Sequence, residues 1–362
     1  MAKRVGIDKW LFAATLFLVL IGLVMVFSAS AMTASERFGS QYYFLFRQLA
    51  WALAGLVAMA VTMNVDYRFW KRPAIVFTLL GITTLLLVAV LFLDRSHNTH
   101  RWIRIATFSI QPSELAKPVL VLFLAFFLEA RAKSVNDWRH TLLPAVFPAA
   151  LFTGLIVAQP DLGTAMVCLA VTAVVLYLAG MRLRYFAYAL VPIIPVLAYL
   201  LSKPWRWARI VIFFHPERDP LGSGFHITQS LIAVGTGGVT GLGFMEGKQK
   251  LFWLPEPHTD FIYAVASEEL GMIGAIVIAT LFLVFVWRGF RAAMRARDAF
   301  GRYLAIGITT MIVVQAFFNM SVVLALLPTK GIPLPFISYG GSSLFVMLAS
   351  VGVLLNVTQH AE

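Results

Sequence analysis

The chain has 362 residues, of which 60% are hydrophobic and only 13% charged. Soluble domains carry about 25% charged residues, so this chain has too little polar surface for a water-soluble globule, and that class is excluded. The net charge of +12 is scattered between apolar runs. That pattern fits basic cytoplasmic loops or a site for a phosphate or anionic lipid head group, and it excludes nucleic acid, whose partners gather basic residues on one soluble face.

Lys3, Arg4 and Lys9 precede the first apolar run, Trp10–Phe27, and Ser28-Ala29-Ser30-Ala31 follows it. This layout imitates a secretory signal. The run is longer than the roughly 7–15 residues of a cleaved segment, and more runs follow, so it reads as a first transmembrane helix that stays. The others are Phe44–Met63, Pro73–Leu93, Pro112–Leu128, Leu142–Ala158, Leu162–Ala179, Tyr185–Leu201, Phe261–Trp287, Tyr303–Leu327 and Ser338–Leu355. Each reaches or approaches the roughly 20 residues that span a bilayer. The expectation is an all-α polytopic integral membrane protein of about ten transmembrane helices, with residues 1–362 forming one membrane domain. Cys168, the single cysteine, lies inside an apolar run. An internal disulfide and a multi-cysteine metal site are excluded, and a buried filler role is expected.

With the N-terminus in the cytoplasm and the runs alternating, the inside segments hold sixteen basic residues: Lys3, Arg4, Lys9, Arg68, Lys71, Arg72, Arg131, Lys133, Arg139, Arg182, Arg184, Arg288, Arg291, Arg295, Arg297 and Arg302. That is the positive-inside pattern, and it makes both termini cytoplasmic. The outside keeps two exceptions. The short segment Asp94–Gln111 carries Arg95, Arg101 and Arg104, and the long loop Ser202–Asp260 carries Lys203, Arg206, Arg209, Arg218, Lys248 and Lys250. Arginines on a short outer loop are tolerated best where an anion is their partner. The long loop has no domain-sized apolar core and is expected to pack on the helix ends.

Few residues can carry chemistry. Asp260 stands where the long loop enters the eighth run; a carboxylate at an apolar boundary is partly desolvated and suits a general base, but an ordinary helix N-cap explains it as well. Glu114 and Lys117 are three residues apart, on one helix face, and form either a cavity-facing pair or a structural ion pair. Asp161 in Gln159-Pro-Asp-Leu-Gly-Thr164 reads as a helix cap before it reads as chemistry. The glycine-rich stretch Gly235–Gly243 lacks the dinucleotide spacing; close packing or a mobile loop are its readings. Pro328–Ser343 is a broken, non-helical approach to the last run, which must be buried in protein or line a wet cavity. The histidines show no zinc spacing, and no Ser/His/Asp arrangement is present.

These segments resemble the SEDS (shape, elongation, division and sporulation) family of bacterial membrane peptidoglycan glycosyltransferases. The similar stretches are Arg101-Trp-Ile, Gln111-Pro-Ser-Glu-Leu-Ala-Lys117, Gln159–Thr164, Pro216-Glu-Arg-Asp-Pro220, Gln229-Ser230, Gly241-Leu-Gly243, Lys250, Leu254-Pro-Glu256, His258-Thr-Asp-Phe261, Glu268-Glu-Leu-Gly271, Pro333-Leu-Pro335 and Ser338-Tyr-Gly-Gly-Ser-Ser343. They run in family order from the third span to the tenth. The Pro-Thr-Lys-Gly tail and the Pro-Glu-Pro-His-Thr-Asp loop are closer to the division branch (FtsW-like) than to the elongation branch (RodA-like). Gly224-Phe-His226 and Phe244-Met-Glu-Gly247 depart from the pattern and put the conformation of the long loop in doubt.

The resemblance implies polymerisation of lipid II on the outer face, with Asp260 as the catalytic carboxylate. It implies substrate-binding roles for Arg101, Glu114, Lys117, Lys250, His258, Thr259, Ser338 and Ser342, and structural or cavity roles for Asp161 and Glu268. No cofactor is certain; a divalent cation, Mg²⁺ or Mn²⁺, stays open. The implied partners are lipid II, a class B penicillin-binding protein (a transpeptidase), and membrane proteins of the division or elongation machinery. A lipid II flippase and a pure scaffold are the alternatives. A flippase needs charge along a crossing path, whereas the notable charges here cluster at outer helix ends, and a scaffold leaves Asp260, Glu114 and Lys117 without a use.

Overall fold

The computed structural model describes residues 6–94, 100–105, 108–219, 222–251, 253–254, 256–328 and 331–361; Lys3, Arg4, Arg95, Pro220, Pro255, Thr329 and Lys330 from the stretches above lie outside them. The fold is all-α apart from one small hairpin. The helices are α1 (Lys9–Phe38), α2 (Tyr43–Asn64), α3 (Pro73–Leu93), α4 (Pro112–Ala130), α5 (Leu143–Ala158), α6 (Leu162–Leu178), α7 (Leu183–Leu201), α8 (Pro204–Phe214), α9 (Ser223–Thr236), α10 (Ile262–Met294), α11 (Ala299–Val323) and α12 (Gly341–Gln359). Seven of the described helices are long and apolar enough to cross a membrane: α1, α2, α3, α5 with the turn before it, α10, α11 and α12. The three other apolar runs fall on α4, α6 and α7. α4 carries Glu114 and Lys117, which dilute its hydropathy, and α6 has 17 residues.

Local chemistry sets the helix starts. Asp8 caps α1, accepting from the Trp10 and Leu11 amides at 3.1 Å, and Asp298 caps α11 through Gly301 N–H at 2.7 Å. Pro73 and Pro112 open α3 and α4, where a missing N–H costs nothing. α1 continues past Phe27 to Phe38, so the Ser28–Ala31 stretch that imitates a cleavage site is buried helix.

α11 is the hub, packed by α4, α6 and α10, while α12 lies along α2. One end of the bundle collects the basic short segments. There Arg288 pairs with Asp8 at 2.6 Å, Arg68 with Asp298 at 3.0 Å, and Lys71 with Glu129 at 2.7 Å. The opposite end gathers the starts of α4, α6, α10 and α12 together with the Ser202–Asp260 segment. That segment contains α8 and α9, and α9 packs on α10 as a lid on the helix ends. Two short strands, β1 (Ile103–Ile105) and β2 (Phe108–Ile110), form an antiparallel hairpin just before α4, with Ile103 opposite Ile110.

α10 breaks at Gly271, where φ is 67° and ψ is −168°. The freed backbone groups pair with the glycine-rich stretch. Leu242 and Gly243 N–H donate to the carbonyls of Glu268 and Glu269 at 3.0 and 3.1 Å, and Met272 and Ile273 N–H donate to those of Gly238 and Val239 at 2.9 and 3.2 Å. A broken helix in a membrane protein must be resatisfied in this way. Gly241, also at positive φ, and Gly271 meet backbone to backbone, and a Cβ on either would strike the other's chain. At Gly237 and Gly241 the stretch is close-packed against the α10 backbone.

Candidate active site

The expected site residues lie at one end of the bundle, in three groups. The first surrounds Asp260. α10 begins at Ile262 with Phe261 as its N-cap and no side-chain capping bond, so Asp260 is not the cap that its position suggested. Its carboxylate accepts no hydrogen bond among the described residues. The residue keeps a patch of accessible surface while lying among packed protein. Burial, reinforced by the Glu256 carboxylate, pushes its carboxyl up to about 6, with Arg101 pulling the other way and Asp161 adding to the rise. The Gly331 backbone abuts it so closely that a Cβ there would collide with Asp260 Oδ2.

His258 is 8% exposed and is held between Phe44 and Tyr339, with ring centroids 4.7 and 5.7 Å away. Burial pushes its imidazole below its ordinary value, against the nearby Glu256 carboxylate and with help from Arg37. Thr259 enters through its carbonyl, which accepts from Ser338 Oγ at 2.6 Å. Ser338 Oγ in turn accepts from Leu334 N–H at 2.7 Å. Gln48 on α2, which no motif marks, braces the same corner: its amide donates to Ser338 O at 3.1 Å and accepts from Gly340 N–H at 3.2 Å.

The second group joins α4, α6 and α12. Lys117 Nζ and Glu114 Oε2 are 2.8 Å apart, each 2% exposed, and Ser343 Oγ donates to the same carboxylate oxygen at 2.6 Å. Asp161 caps α6, accepting from Thr164 N–H at 3.3 Å and Thr164 Oγ1 at 2.7 Å. Gln111 bridges Asp161 Oδ2 at 3.3 Å to Ser342 Oγ at 3.4 Å. Arg101 donates through Nε to Gln159 O at 3.1 Å and through Nη2 to Pro160 O. In this structure it braces the α5–α6 turn.

The third group stands apart. Lys250 Nζ spends its three protons on Glu269 Oε1 at 2.5 Å, Ser28 Oγ at 2.9 Å and Met245 O at 2.9 Å. Glu269 also accepts from Ser28 Oγ and Met245 N–H, and Glu268 accepts from the Lys248 and Gln249 amides at 2.9 and 3.2 Å. Lys250, expected on the substrate, ties the long loop to α1 and α10, because a buried ammonium takes the nearest buried carboxylate. Glu268, expected in a structural or cavity role, holds the Lys248 and Gln249 amides of the long loop. Among the described residues no three His, Cys, Asp or Glu side chains converge to hold a metal ion.

Comparison with known proteins identifies the family. The family model for cell cycle proteins of the FtsW, RodA and SpoVE type matches residues 9–362. The "Probable peptidoglycan glycosyltransferase FtsW" of Geobacter sp. (strain M18) is 45% identical over 360 residues, covering 99% of this chain and 98% of that protein. "Stage V sporulation protein E" of Bacillus subtilis (strain 168) is 44% identical over 365 residues, covering 99% of both. Among solved structures, a chain from "Structural coordination of polymerization and crosslinking by a peptidoglycan synthase complex" superposes with a TM-score of 0.80 at 29% identity over 98% of each chain. The rod shape determining protein RodA of Thermus thermophilus gives a TM-score of 0.71 at 27% identity over 98% of this chain and 97% of that one. The chain is therefore a multi-pass membrane protein and belongs to the FtsW/RodA/SpoVE family of cell cycle proteins.

Proposed function

We propose that the chain is a peptidoglycan glycosyltransferase that polymerises lipid II at the outer face of the cytoplasmic membrane. The observation that carries this is Asp260, a carboxylate with raised proton affinity and no hydrogen bond among the described residues. It sits at the bundle end where lipid-anchored head groups lie. Asp260 takes the proton from the 4-hydroxyl of the acceptor N-acetylglucosamine as that oxygen attacks C1 of the donor N-acetylmuramic acid. The C1–O bond to undecaprenyl diphosphate breaks, the bonding pair leaves with the diphosphate, and the anomeric centre inverts. Arg101 and Arg104 flank this end and favour the departing charge, as cationic clamps do. Any Mg²⁺ or Mn²⁺ requirement is expected to arise from the substrate's diphosphate. The test is lipid II polymerisation by purified protein, alone and with a candidate partner, with and without chelator. Translocation of lipid II in liposomes without glycan synthesis favours the flippase reading.

The base must be ionised, and its carboxyl is held up to about 6. Turnover is therefore expected to be full above that pH and to fall tenfold for each unit below it. A rate that stays flat down to pH 4.5, roughly the ordinary carboxylate range, speaks against Asp260 as the base.

Both termini and the basic end of the bundle face the cytoplasm in this reading, because that end holds the short-loop charges. Reporters inserted after Arg72 and after Arg297 should both give cytoplasmic signals; a periplasmic signal from either overturns the topology. The partner expected is a class B penicillin-binding protein, since a polymerase that makes no crosslinks needs a transpeptidase. The FtsW and sporulation relatives at 44–45% identity favour division or sporulation over elongation.

A further inference from the structure

The Asp260 carboxylate has no hydrogen bond among the described residues, so its aim is set by the backbone that carries it. Three consecutive carbonyls hold that backbone. His258 O accepts from Tyr339 N–H at 2.9 Å, Thr259 O from Ser338 Oγ at 2.6 Å, and Asp260 O from Asn319 Nδ2 at 2.8 Å. The first two donors belong to the segment that precedes α12. The third comes from α11, and the same Asn319 nitrogen also donates to Ile332 O at 2.7 Å. One amide thus joins the catalytic turn, the segment before α12 and the hub helix.

The chemistry of that contact is directional. Both partners are carbonyl oxygens, so the group facing them must be the NH₂ and not the oxygen of the amide. Asn319 is 2% exposed in a helix whose other residues at this depth are mostly apolar. A polar side chain in a span is expensive and marks function by default. Gly331, one residue before Ile332, is the residue whose backbone abuts the Asp260 carboxylate. The tie to Ile332 O therefore fixes the neighbour that limits where the carboxylate can swing.

We propose that Asn319 is a positioning residue for the transfer step: by donating to the carbonyls of Asp260 and Ile332 it sets the distance between the carboxylate and the acceptor hydroxyl. This rests on Asp260 as the general base. Loss of the amide leaves the acceptor's binding groups in place and lets the base drift, and a misplacement near 1 Å is worth about 10²-fold in rate. The effect belongs in kcat, because the contact touches no substrate.

The experiment compares wild type, Asp260→Asn, Asn319→Ala and Asn319→Asp in lipid II polymerisation across substrate concentration, with thermal unfolding of each. Wild type should be active and Asp260→Asn slower by about 10²–10⁴-fold, which keeps the base reading standing. Asn319→Ala should lower kcat by about 10²-fold with KM within about twofold of the parent. Asn319→Asp is nearly isosteric but presents acceptors to the two carbonyls, and it should be at least as impaired. If Asn319→Ala does not fold, Asn319→Ser, which keeps one donor, is read on the same split. Parental kcat in a folded Asn319 variant, or a loss carried by KM, overturns the positioning role. Near-parental activity in Asp260→Asn overturns its premise instead.

Discussion

Asp260→Asn, folded and inserted, is expected to polymerise lipid II about 10²–10⁴-fold more slowly than the parent, the usual contribution of general-base catalysis. The substitution is well matched to the question. Asn caps a helix about as well as Asp, and α10 is not capped by this side chain in any case. The carboxylate accepts no hydrogen bond among the described residues, so replacing it with an amide removes no fastening. A raised carboxyl signals that the surroundings favour the neutral form, so the neutral amide should fold at least as readily. Near-parental polymerisation by the Asn variant ends the assignment, and an unfolded variant contradicts the argument from burial.

Lys250→Met is expected to reduce stability by about 3–5 kcal/mol, the range for removing one partner of a buried ion pair. The side chains of Lys250 and Glu269 are 5% and 0% exposed, so Glu269 would be left charged in protein with only Ser28 and the Met245 amide. The double variant Lys250→Met with Glu269→Leu should recover much of the loss, since an apolar pair of similar volume often replaces a buried ion pair without penalty. Thermal unfolding in detergent, set beside KM for lipid II, separates the two roles. A raised KM with unchanged unfolding would return Lys250 to the substrate, where the family resemblance first placed it.

Apolar run length was enough to locate the spanning helices, because in lipid a long apolar stretch has no alternative to a helix. Run length said less about where helices stop. α1 continues to Phe38 and α12 starts at Gly341, since polar residues at a helix end can pack on protein instead of lipid. α8, α9 and the 103–110 hairpin were hidden by their shortness: three alternating residues in a strand are not a readable period. Asp260, Glu114 and Lys117 stood out as charges at span ends. Whether each faces substrate or a neighbouring side chain depends on contacts hundreds of residues apart, such as Ser28 with Glu269. Asn319 and Gln48 carried a signal that went unused, a carboxamide within an apolar run. Gly331 carried none, because its importance is an approach to Asp260 that only the fold creates.

The three-point clamp on the turn that carries Asp260 also has a direction in time. Asp260 and Thr259 are fastened by residues 59 and 79 positions further along the chain. Synthesis runs from the N-terminus, so α10 meets the bilayer before any of the donors exists. The carbonyls of residues 258–260 then have only water for partners, and the carboxylate has no fixed aim. Competence arrives late, when α11 has been inserted and the segment before α12 has folded back on the turn. On the proposed mechanism a nascent chain is expected not to act on its substrate until nearly all of its spans are in place, and the same order makes the last stretch of the chain, far from the aspartate in sequence, the part whose loss should silence it first.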